Sequence, residues 1–93
     1  MMKDFSNLGN YLREKRIHKG VSQTEIAHKL GYSSSQFVSN WERGLASPPL
    51  DALSILVDIC EIPEDELMDI ILTETERTLR DALNRKKRRK RRA

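Results

Sequence analysis

Residues 22–44 read SQTEIAHKLGYSSSQFVSNWERG and decide the fold of this chain. Their first four residues have the pattern of a capping box, in which the Ser22 hydroxyl accepts from the Glu25 amide and the Glu25 carboxylate accepts from the Ser22 amide. Ile26 then opens an apolar face. Gly31 supplies the left-handed conformation that ends many helices. The stretch therefore predicts a short helix of about nine residues that ends at Gly31.

A second short helix is predicted after the serine-rich turn of residues 32–35. Val38 and Trp41 share one face at helical spacing, and Gly44 ends the helix. The opposite face is polar and carries no acidic group at its centre. Any of the three serines in the turn can cap this helix, so the residue at which it begins stays open.

Helical spacing also predicts three further helices, and no alternating apolar run indicates a strand. The first runs from about Phe5 to Lys19, the fourth from about Pro49 to Cys60, and Pro63 opens a fifth. The fold class is therefore all-α. One stripe of the fourth helix is assigned to the core: Leu50, Leu53, Leu56, Val57 and Cys60.

The composition excludes several classes of protein. Ninety-three residues with 38% hydrophobic content can bury one modest core. No apolar run is long enough for a membrane helix, and the first residues lack the apolar core typical of a signal peptide, so we expect a cytoplasmic, nucleoid-associated protein. His18 and His28 lie on different helices without a neighbouring metal ligand, and no nucleophile is paired with a base. We therefore expect no enzyme, metal or cofactor, and we interpret the single cysteine as a reduced core thiol.

Charge is distributed unevenly along the chain. Residues 1–49 hold seven Lys/Arg and four Asp/Glu, a net charge of +3, and residues 50–84 hold two and ten, a net charge of −8. Residues 85–93 carry eight cations and no acid. A polyanion would be attracted to the two ends of the chain and repelled by the middle, so a nucleic-acid surface is expected in the first half and the tail.

The polar face of the third predicted helix has the residue types that read DNA. Gln36 and Asn40 are four residues apart, which places both on one side of a helix. Gln and Asn pair with adenine in the major groove, and Ser35 and Ser39 beside them can bond to a base or a phosphate. The same residues also occur on ordinary solvated helix faces. Phe37 has two interpretations, packing at the core edge, which we favour, or contact with a thymine methyl.

Many spaced positions over residues 8–72 resemble the phage-repressor-like helix-turn-helix family, the Cro and repressor group. The resemblance implies a compact five-helix domain over residues 1–72 and a role in transcriptional regulation on double-stranded DNA. One residue more than usual separates Gly31 from Ser39. The positions that carry the resemblance are Leu8-Gly9 through Arg16, Lys19 to Gln23, Glu25 to Ala27, Leu30-Gly31, Val38-Ser39, Trp41 to Gly44 and Pro48 to Leu56.

The resemblance also implies roles for individual residues. Gln23 matches a position that bonds a backbone phosphate, and we favour this role over that of a plain first-turn residue. Arg16 and Glu42 match an internal salt bridge between the first and third helices. The remaining candidate DNA contacts, in base-reading positions, beside them and in the loop that follows, are Ser34, Ser35, Gln36, Ser39, Asn40, Arg43 and Ser47.

Two segments follow the predicted domain. Residues 73–84 continue an amphipathic helix that needs a surface to cover it, and a second copy of the chain is favoured over a frayed helix end. The eight cations after it are predicted to be disordered and to contact phosphates without reading sequence. Three alternatives for these cations remain open. They could bind RNA, act as a localisation signal, or fold back onto the acidic segment of residues 50–84. These cations are Arg85, Lys86, Lys87, Arg88, Arg89, Lys90, Arg91 and Arg92.

Three classes of function agree with these features. The first is a sequence-specific regulator that binds a palindromic operator as a homodimer. The second is an architectural nucleoid protein with weak sequence preference. The third is an antitoxin-like autoregulator whose helical extension binds a partner protein. Affinity for an operator compared with random duplex separates the first two classes.

Overall fold

The computed structural model describes residues 6–92, with the side chains of residues 7–85. This part of the chain contains five helices and no strand, which confirms the predicted all-α class. Phe5, predicted to open the first helix, lies outside the described residues. The helices are α1 (Ser6–Lys19), α2 (Gln23–Leu30), α3 (Gln36–Glu42), α4 (Leu50–Cys60) and α5 (Glu64–Arg92).

The ends of α2 are those that the sequence predicts. The Ser22 hydroxyl accepts from the Glu25 amide at 3.0 Å, and the Glu25 carboxylate accepts from the Ser22 amide at 3.1 Å. Gly31 has φ 78° and ends the helix, a conformation that costs glycine little because it has no Cβ. Both ends of α2 are thus set by residues within the helix or next to it.

The core lies between α1, α2, α3, α4 and the start of α5. Leu50 is an exception to the predicted stripe of α4, because its side chain is 84% exposed. Pro49 occupies the N-cap of α4, and Leu50 is the first helical residue, which precedes the first buried position at Ala52. Burial raises the pKa of the Cys60 thiol and keeps it protonated. The buried residues are Leu8, Leu12, Ile26, Ala27, Val38, Trp41, Ala52, Leu53, Leu56, Cys60, Ile62 and Leu67.

Helix α5 is continuous past residue 72 and contacts the start of α1. Buried Glu74 accepts a hydrogen bond at 3.2 Å from the backbone amide of Leu8, in the first turn of α1. The first amides of a helix lack partners within it, and its dipole favours a carboxylate there. Glu74 therefore fastens α5 to the N-terminus of α1. The division of α5 at residue 72 and the disorder of residues 85–93 stay predictions.

No helix in the described part of the chain has both the length and the apolar character that crossing a membrane requires.

Candidate nucleic-acid interface

Helix α3 is held in place by its buried face. It has seven residues, too few to be stable alone, and Val38 and Trp41 are 2% and 4% exposed. Gly9 of α1 lies against the end of α3, where a Cβ would come within 2.5 Å of the Trp41 carbonyl oxygen and 2.6 Å of the Glu42 carbonyl oxygen. The two helix backbones therefore touch, and only glycine fits between them.

An ion pair between buried Glu42 and largely buried Arg16 fastens the C-terminal end of α3 to α1. Arg16 donates from Nε to Glu42 Oε2 at 2.6 Å and from Nη2 to Oε1 at 3.0 Å, and its Nη1 donates to the Val21 carbonyl. The Arg16 and Glu42 side chains are 14% and 5% exposed. The hydrogen bonds to Glu42 hold the pKa of Arg16 above its ordinary value. The structure thus brings together the two residues for which the resemblance implies a salt bridge.

Gln23 joins the same network, a contact that the sequence did not indicate. Its Nε2 donates to Glu42 Oε1 at 3.0 Å, so one carboxylate links α1, α2 and α3. A glutamine amide has two N–H groups, and the second is left for another acceptor. Gln23 is also the first residue of α2, where unpaired backbone amides favour an anion. Its predicted phosphate contact is compatible with this position.

The outer face of α3 carries the pair of amides predicted to read bases. Gln36 Nε2 donates to Asn40 Oδ1 at 2.9 Å, and Gln36 is exposed while Asn40 is half-buried. This bond uses one donor of Gln36 and leaves its carbonyl oxygen and both N–H groups of Asn40 for a ligand. The two side chains therefore hold each other in position and together present donors and an acceptor.

The start of α3 involves two of the three serines in the turn. Ser35 occupies the N-cap without a side-chain hydrogen bond, whereas the Ser34 hydroxyl accepts from the Gln36 amide at 3.3 Å. Ser35 and Ser39 are half-buried, and Ser34 is exposed. Ser35 thus occupies the cap position, and Ser34 provides the capping hydrogen bond. Three consecutive serines in the sequence could not show which of them does either.

Phe37 is exposed, and the interpretation that it packs at the core edge is wrong. Its side chain is 57% exposed, and its ring centroid lies 5.2 Å from that of Tyr32. Tyr32, from the lengthened turn, lies edge-on to Trp41 at 6.0 Å and occupies the place expected for Phe37. A large apolar side chain is therefore displayed next to Gln36.

An open cleft of about 450 Å³ lies beside this face. It brings together the predicted contacts Gln23, Ser39 and Arg43, which come from α2, α3 and the residue after α3. It also includes Asn10 and Arg13 of α1, which the sequence analysis missed. Arg13 precedes Arg16 by one helical turn, and this spacing is the signal that could have found it. The lining residues are Asn10, Arg13, Gln23, Ser39, Glu42 and Arg43.

The two arginines of the cleft, Arg13 of α1 and Arg43 after α3, differ from two lysines of α1 that form ion pairs. Lys15 pairs with Glu66 at 3.5 Å, and Lys19 pairs with Glu61. Among the side chains of residues 7–85, neither Arg13 nor Arg43 belongs to an ion pair. Both are exposed, so their charge is available to an anion.

The other predicted contacts lie outside the cleft. Ser47 is exposed in the loop after α3, and Arg85 is exposed on α5. The side chains of the remaining tail cations lie outside the described residues. His18 and His28 are exposed on separate helices. Within the described residues, no cluster of side chains has the composition of a metal site.

A helix-turn-helix family model matches residues 12–67, which include α2, the serine turn, α3 and all of α4. The chain belongs to the phage-repressor-like helix-turn-helix family, the Cro and repressor group. This family consists of non-enzymatic, DNA-binding regulators. The match confirms the resemblance carried by the capping box and by the residues from Val38 to Gly44. No curated protein and no solved structure matches the chain.

Proposed function

We propose that this helix-turn-helix protein is a sequence-specific transcriptional regulator that binds a palindromic operator in double-stranded DNA as a dimer. The observation that carries the proposal is the pair of amide side chains on the outer face of α3, in which Gln36 Nε2 donates to Asn40 Oδ1 at 2.9 Å. Amide side chains offer a donor and an acceptor together, which matches the edge of adenine in the major groove. The buried back of α3 supplies the rigid support that such reading needs.

The cleft beside α3 is suited to the DNA backbone. Arg13 and Arg43 provide charge, and Gln23 adds a side-chain donor at the N-terminus of α2. Ser34, Ser35 and Ser39 add hydroxyl groups at the start of α3 and along it, and Ser47 adds one in the loop after it. The tail cations, residues 85–92, add phosphate contacts that carry no sequence information. In this proposal α3 determines which DNA sequence is bound, and the arginines and the tail provide most of the affinity for DNA.

Selection of bound fragments from random DNA tests the proposal directly. The full chain should enrich a palindrome, and its affinity for that palindrome should exceed that for a shuffled duplex by about a thousandfold or more at one fixed salt concentration. A ratio below about tenfold would instead indicate an architectural protein and would reject sequence-specific regulation.

Two groups of variants separate base reading from phosphate binding. Gln36→Ala and Asn40→Ala should each weaken operator binding by about 5- to 150-fold and leave the shuffled duplex unaffected. Arg13→Ala and Arg43→Ala should weaken binding to both duplexes and reduce the salt slope by about one. Thr73→Ala, at an exposed position of α5, is the control and should change neither.

A further inference from the structure

Helix α5 carries an exposed apolar stripe that no part of the described chain covers. Met68, Leu72, Leu79 and Leu83 are 57%, 60%, 57% and 49% exposed. Their separations of four, seven and four residues place them along one side of a helix, in the spacing of a coiled-coil seam. The stripe is separate from the side of α5 that packs inward through Leu67 and Glu74.

The stripe continues into an apolar groove between α4 and α5. The groove has a volume of about 400 Å³, and Met68 is one of the residues that line it. Leu50, which also lines the groove, is 84% exposed. Contiguous exposed apolar surface of this kind marks an interaction site, because isolated exposed leucines are common but aligned ones are not.

The distribution of charge along α5 indicates which molecule covers the exposed apolar stripe. Residues 64–76 hold six acidic side chains and no basic one, whereas residues 77–92 hold ten basic side chains and one acidic one. Two copies of α5 in parallel would place like charges together along their whole length. Two antiparallel copies would place each acidic half against a basic half, which also satisfies the two-fold symmetry of a homodimer.

One antiparallel register aligns the apolar and the charged residues together. With the two-fold axis between Thr75 and Glu76, Met68 lies opposite Leu83 of the second copy, and Leu72 lies opposite Leu79. The acidic first turn, residues 64–66, then lies opposite residues 85–87, all of which are basic. The same register thus satisfies two independent features of the sequence.

We propose that a second copy of the chain docks along the α5 stripe as an antiparallel helix pair in this register. The inference supplies the geometry of the dimer in the proposed function and rests on that dimer. Tail residues 88–92 lie beyond the paired acidic turn, so their charge stays available to phosphate. Residues 85–87 are thereby assigned to the protein interface, which narrows the proposed phosphate contacts of the tail to residues 88–92.

Single-cysteine variants test both the contact and its direction. In a Cys60→Ala background, M68C and L83C are mixed under mild oxidation, and linked peptides are identified by mass spectrometry. Positions 68 and 83 lie about 22 Å apart within one helix, far beyond disulfide range, so every cross-link is between chains. The expected product joins position 68 of one chain to position 83 of another. T73C, at an exposed position about 110° around α5 from the stripe, is the control and should not cross-link.

Cross-links of M68C to itself would show a parallel pair and overturn the proposal, as would efficient linking of T73C or the absence of the mixed product. Sedimentation equilibrium of the unmodified full chain should show a dimer, and L72E combined with L79E should show a monomer. A chain that is monomeric yet binds its operator in a Gln36-dependent manner would reject the α5 pairing and leave DNA recognition standing.

Discussion

Helix α3 and the distal half of α5 are stabilised in opposite ways. The seven residues of α3 bury Val38 and Trp41 and end in the Arg16 and Glu42 ion pair. Along α5, by contrast, every side chain from Leu79 to Arg85 is exposed. A short helix needs tertiary contacts to be stable, whereas a long helix of good helix formers can be stable while one of its faces is still uncovered. Precise placement is therefore concentrated at the face proposed to read DNA.

Both regions contain a salt bridge between an arginine and a glutamate. In α5, Arg80 Nη2 lies 2.7 Å from Glu76 Oε2, and the two side chains are 73% and 60% exposed. The Arg16 and Glu42 side chains, by contrast, are 14% and 5% exposed. Removing one partner from a buried pair leaves an uncompensated charge in a poorly solvated place, whereas water replaces the partner at an exposed site. The comparison can be tested by making the same substitution in each region.

Arg16→Ala should have the largest effect on stability. We expect it to lower the free energy of unfolding by about 3–5 kcal/mol, because Glu42 loses its counter-charge. Arg80→Ala, the matched control, should cost less than about 0.5 kcal/mol. Urea denaturation of both variants measures the difference. Equal effects, or an Arg16→Ala protein whose main change is in the operator-to-random affinity ratio, would contradict the structural role of this pair.

Gly9→Ala should be the next largest change. Alanine normally stabilises a helix relative to glycine by about 1 kcal/mol, yet here its Cβ would overlap the backbone of α3. We expect a net loss of about 2 kcal/mol and a lower melting temperature. Asn7→Ala, at an exposed position of α1, is the control. A stabilised Gly9→Ala protein would show that α1 and α3 are not in close contact.

Ser22→Ala should cost about 1 kcal/mol, since it removes the acceptor of the Glu25 amide. Ser33→Ala, in the exposed turn, should change stability by less than about 0.5 kcal/mol. Thermal unfolding of the two variants distinguishes a capping serine from a solvated one. If the two melting curves coincided, the capping box would contribute nothing to α2.

Tyr11→Phe should have the smallest effect, and one that depends on pH. The Tyr11 hydroxyl donates to Glu66 Oε1 at 2.8 Å, and this bond, with Lys15 nearby, holds the pKa of Glu66 below its ordinary range. A lowered carboxyl pKa stabilises the fold above the ordinary pKa of about 4.3, and the contribution is lost as pH falls through the lowered value.

The destabilisation by Tyr11→Phe should therefore be present at neutral pH and decline in acid, and the pKa of Glu66 should rise toward its ordinary value. An NMR titration of the Glu66 carboxyl group measures this shift directly. A titration midpoint that does not move in the Tyr11→Phe protein would remove Tyr11 as the cause.

Most of the fold could be predicted from the sequence, whereas only part of the candidate site could. The bounds of α2 follow from Ser22, Glu25 and Gly31, which act on neighbours within a few residues. The amide pair on α3 follows from helical spacing alone. By contrast, the exposure of Phe37 depends on Tyr32 filling the place beside Trp41, and the sequence could not rank two aromatic residues for one position.

By itself, the sequence determined the helices, the polar front of α3 and the division of charge along α5, because helix caps, periodicity and charge are local properties. Only the tertiary structure decided that Gln23 bonds to Glu42, that Gly9 touches the end of α3 and that Glu74 bonds to the Leu8 amide. These contacts join residues 19 to 66 positions apart. Whether such residues meet depends on how the helices pack, and packing is a property of the whole core.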